Sequence, residues 1–145
     1  QDVEPGGIVI ANDDEFNKVN LKKAGYTEET NPLDDEEIQR RYQLFRVPIT
    51  RLTRESLAES GMGAKDVDRC RNMYALGMAY WLYQRPLEPT IDHLEGYFER
   101  KKGLPEVAAI NVRALKIMFS DKCRELLNKR GPRLGVGRHW RETSR

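Results

Sequence analysis

The sequence predicts an α/β fold with parallel strands, and three observations carry that expectation. Two short stretches, the apolar run at residues 8–11 and Tyr42, Leu44, Phe45 and Val47 within residues 42–47, are each followed by a turn and a helix-like stretch. Such alternation builds layered α/β domains. The third observation is RNMYALGMAYWLYQRPLEPT, residues 71–90, in which the eleven positions 73–83 pass without a charge. A surface helix would interleave polar residues, and a membrane span needs about 20 apolar ones. The segment therefore reads as a helix enclosed by protein on nearly every side. Tyr74, Tyr80, Trp81 and Tyr83 bring aromatic area that a small domain rarely hides alone, so these four are the expected interface residues.

Taken in order, Ile8, Val9, Ile10 and Ala11 read as a central strand of a parallel sheet, where both faces are buried and the run is continuously apolar. Asn12 or Asp13 is then expected to cap a short helix with Asp14 and Glu15 in its first turn, where acids favour the positive end of the helix dipole. Phe16, Val19 and Ala24 would face inward, and Gly25 suits the left-handed position past the helix end. Residues 27–37 are acidic and without period, as in a surface loop. Tyr42, Leu44, Phe45 and Val47 make the second strand, closed by Pro48. Thr50 or Thr53 would cap a helix reaching Gly61.

Beyond the apolar helix, Pro86 and Pro89 bracket a turn. Thr90 is expected to cap a helix with the stripe Ile91, Leu94, Tyr97 and Phe98, ended by Gly103. Pro105 suits the first position of another helix, whose face is Val107, Ala108, Asn111, Ala114, Leu115 and Met118 and which would run to Arg130. Two strands do not complete a sheet, so further strands are expected before Gln1.

The 145 residues suffice for one domain with a moderate core; 39% are hydrophobic and 33% charged, which leaves much solvated surface. The net charge of +2 conceals an asymmetry, since residues 129–145 hold six basic residues and one acid. With few periodic apolar residues, this basic segment is expected to be a disordered tail. Cys70 and Cys123 lack CxxC spacing, which argues against a zinc site or a disulfide framework and for reduced, buried thiols. No signal peptide or transmembrane run is present, so a cytoplasmic protein without a membrane partner is expected.

No residue constellation matches a known reaction class. His93 sits among acids on a helix and His139 in the tail, too far from other candidates to form a general base or a metal cluster; the acid pairs Asp13–Asp14 and Asp34–Asp35 read as solvated. No catalytic or metal-ligating residue is assigned. GGIVIAND is not a phosphate loop, because its glycines precede the strand. Asn12 and Asp13 nevertheless follow a strand's carboxyl end, where open α/β sheets meet ligands. Asn72 either ties its helix to a strand or faces a ligand. Gly77, costly inside a helix by about 1 kcal/mol relative to alanine, implies a close backbone approach. The tail has one aromatic, Trp140, and no binding fold, so nucleic acid is not an expected partner.

Three segments, GGIVIANDDEFNKVNLKKAGY, YQLFRVPITRLTRESL and RNMYALGMAYWLYQRPLEPT continuing through FERKKGLPEVAAINVRALK, closely resemble the gamma domain of 2-oxoacid:ferredoxin (acceptor) oxidoreductases, in particular the amino-terminal region of the 2-oxoglutarate oxidoreductase alpha subunit. The resemblance spans roughly residues 3 to 116. It implies a partial Rossmann-like domain over residues 1–116, the carboxyl-terminal part of a gamma domain, followed by a divergent helix extension and tail over residues 117–145. The resemblance also implies that the complete enzyme oxidatively decarboxylates a 2-oxoacid to an acyl-CoA with thiamine diphosphate and magnesium, passing electrons through an iron-sulfur cluster to ferredoxin. Those cofactors belong to other domains or subunits, so this chain alone is expected to bind none and to be inactive.

The expected partners are the remaining domains, the beta subunit and, through the complete enzyme, ferredoxin. The family's GxGGxG opening is absent, and no CoA-contacting residue can be matched. After Lys116 the family continues with a segment resembling AGYNYGE, whereas this chain does not; a frameshift, a fragment boundary or divergence would each produce that break. The competing reading is a self-sufficient, non-enzymatic, mostly helical interaction module that docks a partner through Trp81 and its neighbours and holds acidic surfaces through its basic tail.

Overall fold

Strand β1 (Ile8–Asn12) and strand β2 (Gln43–Val47) pair in parallel, with Val9 opposite Leu44, Ile10 opposite Phe45 and Ala11 opposite Arg46. The computed structural model describes residues 3–27 and 30–130. They divide between two compact units, one of residues 3–27, 30–47 and 125–130 and one of Pro48–Arg124. The expected disordered tail lies outside the described residues.

In the first unit, alternation along the strands sends Val9, Ala11 and Leu44 to one face. There they pack with Leu33, Phe16 and Ile38. Phe45 and Val47, fully buried, take the opposite side of β2. The two-stranded sheet is the whole sheet among the described residues, so β1 is not a central strand there, and Ile8, Val9 and Ile10 are only half-buried.

Neither Asn12 nor Asp13 caps a helix. A three-residue 3-10 turn, Asp13–Glu15, follows the strand without a side-chain cap, and helix α1 (Lys18–Lys23) is capped instead by Asn17, whose side chain accepts from the Asn20 amide at 3.1 Å. The later start shifts the helical phase: Leu21 is the buried residue, Val19 is 63% exposed and Ala24 lies outside the helix. Gly25 does take the left-handed conformation, φ +87°.

The expected loop over residues 27–37 is more structured than its composition suggests. Asn31 caps a 3-10 turn, Pro32–Asp34, and the Asp35 side chain accepts from the Glu37 amide to begin helix α2 (Glu36–Arg41). This one-and-a-half-turn helix supplies Ile38 to the sheet.

The second unit is helical. Helix α3 (Ile49–Ser56) starts directly after Pro48, so neither threonine caps it. Thr53, fully buried, instead donates its hydroxyl to the Ile49 carbonyl at 2.7 Å, the back-bond available to a threonine inside a helix. Helix α4 (Ala64–Arg69) leads into α5 (Arg71–Leu82), the apolar helix. Its buried residues are Tyr74, Gly77, Met78 and Leu82, a stripe at helical spacing. The remaining positions are half-buried or exposed, so α5 is enclosed on one face and not on nearly every side.

Helix α6 (Glu88–Leu94) begins ahead of Thr90; that hydroxyl serves a 2.8 Å bond with Tyr80. A π-helical segment, Glu95–Lys101, continues from α6 and packs with it against α7 (Pro105–Met118). Pro105 occupies the first turn of α7, and the expected inward residues Ala108, Asn111, Ala114, Leu115 and Met118 are buried, joined by Ile110. Helix α7 does not reach Arg130. It stops at Phe119, whose ψ of 61° leaves the helical region, and α8 (Asp121–Arg130) begins after Ser120.

Helix α5 packs on α7, and Gly77 is the contact point. A Cβ at that position would stand 2.3 Å from the Leu115 carbonyl oxygen and 3.1 Å from the Met118 Cβ. The close approach inferred from a glycine inside an apolar helix is therefore present.

Candidate functional site

Because β1 and β2 are parallel, their carboxyl ends lie together, and the residues there form a charged cluster in the first unit. Arg46 Nε donates to Asp13 Oδ1 at 2.8 Å, and its Nη1 contacts Asp34 Oδ1. Burial alone would lower the Arg46 pKa, but the hydrogen bonds with Asp13 and Asp34 outweigh it and raise the value. The guanidinium stays charged and fastens the turn Pro32–Asp34 to the strand end. At one-third exposure of the Arg46 side chain, each pair contributes at most about 1 kcal/mol.

Asp13, expected at a ligand-facing position, is thus engaged by Arg46, and Asn12 stands beside it as the last residue of β1. Arg46 and Asp34 carry no local signal in the sequence. Arg46 is the one charged residue of QLFRV, and opposing acids 33 and 12 positions away become visible only once the strand register is known.

The second unit holds the other expected positions. Asn72 is exposed in the first turn of α5. Tyr74 is buried at 3% exposure; burial pushes its phenol pKa up, partly offset by a hydrogen bond to Ser56. Tyr80 and Trp81 are half-buried, and Tyr83 is 56% exposed. Tyr83 is thus the exposed one of the four, Tyr80 and Trp81 are partly covered, and Tyr74 lies in the interior.

Both cysteines are buried free thiols. Burial first, and then the Asp66 charge, push Cys70 up to about 11; burial pushes Cys123 up to about 12. Neither is a thiolate at neutral pH, and a thiolate is what nucleophilic attack and metal ligation require. Among the described residues no group of three or more His, Cys, Asp or Glu side chains could hold a metal ion, and no helix is long and apolar enough to cross a membrane. These residues do not fit an iron-sulfur cluster or a carboxylate-held magnesium.

The raised thiol values have a measurable consequence. The unfolded thiols ionise near 9.0 while the folded ones hold their protons to about 11 and about 12, so between these limits the unfolded state binds fewer protons. Stability is then complete below pH 9 and falls as pH rises, by up to about 1.4 kcal/mol per pH unit for each thiol. Urea titrations at pH 8.5 and 10.5 are expected to show a shallower loss for Cys70→Ala and Cys123→Ala than for the parent chain; equal slopes would refute the assignment.

The profile of the family described as pyruvate ferredoxin/flavodoxin oxidoreductase matches residues 1–119. The chain belongs to this family. The 2-oxoglutarate oxidoreductase subunit KorA of Mycobacterium tuberculosis is 44% identical to it over 115 residues, 79% of this chain. The match covers 17% of that protein's length, so the chain spans about one-sixth of the relative. The resemblance expected from the three sequence segments is borne out. No solved structure matches significantly.

Proposed function

We propose that this chain is the gamma-domain portion of a 2-oxoacid:ferredoxin oxidoreductase acting on 2-oxoglutarate, and that it serves there as a structural and subunit-contact part. The observation that carries the reading is the 44% identity to a 2-oxoglutarate oxidoreductase subunit across 115 residues. The parallel pair of strands supports a Rossmann-like parent domain, since parallel sheets are normally covered on both faces and extended by further strands.

Oxidative decarboxylation, with thiamine diphosphate, magnesium, an iron-sulfur cluster and CoA, is assigned to the complete enzyme and not to the residues of this chain. Tyr80, Trp81 and Tyr83 are the residues through which α5 would contact the remaining domains or the beta subunit, while Tyr74 is buried. Asn12 and Asp13 at the strand end and Asn72 at the start of α5 are the positions at which that complete enzyme would meet a ligand.

A chimera tests the proposal. Residues 3–116 replace the matching segment of the full-length M. tuberculosis subunit, co-produced with its partner subunit. Assembly and reduction of a viologen acceptor with 2-oxoglutarate and CoA are expected to persist, whereas the isolated chain gives no turnover. Failure of the chimera to assemble, or turnover by the isolated chain, would refute the reading.

A further inference from the structure

Helix α7 and the π-helical segment line an open groove of about 560 Å³, which none of the foregoing uses. That volume falls within the range of small-molecule sites. Half-buried Val112 and Ile117 give the groove an apolar lining. Charged groups of both signs share it: Glu95 and Glu99 come from the π-helical segment, Arg113 and Lys116 from α7. All four are exposed, and among the described residues none of them forms an ion pair.

Opposite charges that line one concavity without meeting each other select a ligand by its charge pattern. An anion is drawn to Arg113 and Lys116 and repelled by Glu95 and Glu99, and a cation the reverse, so a singly charged ligand gains little. A zwitterion gains from both pairs. The apolar lining asks in addition for an apolar stem. The segment that carries the acids is wound as a π-helix, a rare geometry that recurs at functional sites, and it brings two carboxylates to the same groove.

We propose that this groove is a binding site for an α-amino acid with an apolar side chain. The ligand's ammonium lies toward Glu95 and Glu99, its carboxylate toward Arg113 and Lys116, and its side chain against Val112 and Ile117. Exposed ion pairs are individually weak, and the expected Kd is about 1 mM. The site lies within the helical unit and uses neither the strand-end cluster nor the α5 aromatics, so it is independent of the enzymatic reading.

Titration of the isotope-labelled full chain with L-leucine, followed by heteronuclear NMR, tests the site. The amide shifts of residues 95–117 are expected to saturate. Isocaproate and isoamylamine keep the branched stem of leucine with one charge each, and glycine keeps both charges without the stem. Each of the three should bind at least about fivefold more weakly than leucine. Glu95→Gln with Glu99→Gln, and Arg113→Gln with Lys116→Gln, should each weaken leucine by a similar factor. Circular dichroism melts monitor folding, which exposed substitutions of this kind should not disturb. Four results would overturn the proposal: no saturation by about 10 mM leucine, a one-charge analogue that binds as tightly, a double variant that binds like the parent, or shifts that follow protein concentration and not leucine, as a second copy covering the groove would produce.

Discussion

Phe45→Ala is expected to lose about 3–5 kcal/mol of stability, the range for truncating a large buried aromatic. Phe45 lies in the middle of β2 opposite Ile10 and has no exposed surface. The truncation removes apolar area from the interior and leaves a cavity that a backbone fixed by ladder hydrogen bonds closes only partly. For a domain whose total stability is on the order of 5–15 kcal/mol, that is a large share. Arg40→Ala is the comparison: its ion pair with Glu36 is more than three-quarters exposed on both sides and should change stability by no more than about 0.5 kcal/mol. Urea denaturation followed by circular dichroism measures both. A Phe45→Ala loss under about 1 kcal/mol would mean that the side chain is not sealed in the interior.

Gly77→Ala is the second large effect, and its sign opposes helix propensity. In an exposed helix the change would gain about 1 kcal/mol. Here the new methyl group would meet the Leu115 carbonyl oxygen at 2.3 Å, well inside contact distance, and the obstacle is backbone of α7, which no rotamer change moves aside. Overpacking of this kind typically costs 1–3 kcal/mol, and the α5–α7 separation must increase. A net loss of about 2 kcal/mol is expected. Gly103→Ala separates this mechanism from backbone strain, because Gly103 has φ +65° and open space around it and should lose only about 1 kcal/mol. If Gly77→Ala proves neutral or stabilising by thermal denaturation, the close helix contact is absent.

Local signals account for the parts of the fold that were readable beforehand. A continuous β-branched run marked β1, Tyr42, Leu44, Phe45 and Val47 ahead of Pro48 marked β2, Pro105 and the regular apolar face marked α7, and an internal glycine in an apolar helix pointed to close packing. The unread parts depended on information outside the local window. In α2, EEIQRR has one apolar residue, so no period shows, and the helix exists because Asp35 caps it and Ile38 reaches the sheet. In α5, uninterrupted apolar sequence has no phase, so it could not reveal which side would be covered. The cap at Asn17 rather than Asn12 or Asp13 rotated α1 and exposed Val19. The Asp13–Arg46–Asp34 cluster joins residues from three chain segments, and only the strand register brings them together.

The chain's division into units has a temporal side. Pro48–Arg124 is one uninterrupted stretch, whereas the other unit draws on residues 3–27 and 30–47 and on residues 125–130. During synthesis the helical stretch can assemble from its own sequence as it emerges, with mostly short-range contacts that close quickly. The strand-bearing unit must wait until residues 125–130 have followed the helical stretch off the ribosome, so residues 3–47 find their final surroundings only after residues made later than themselves.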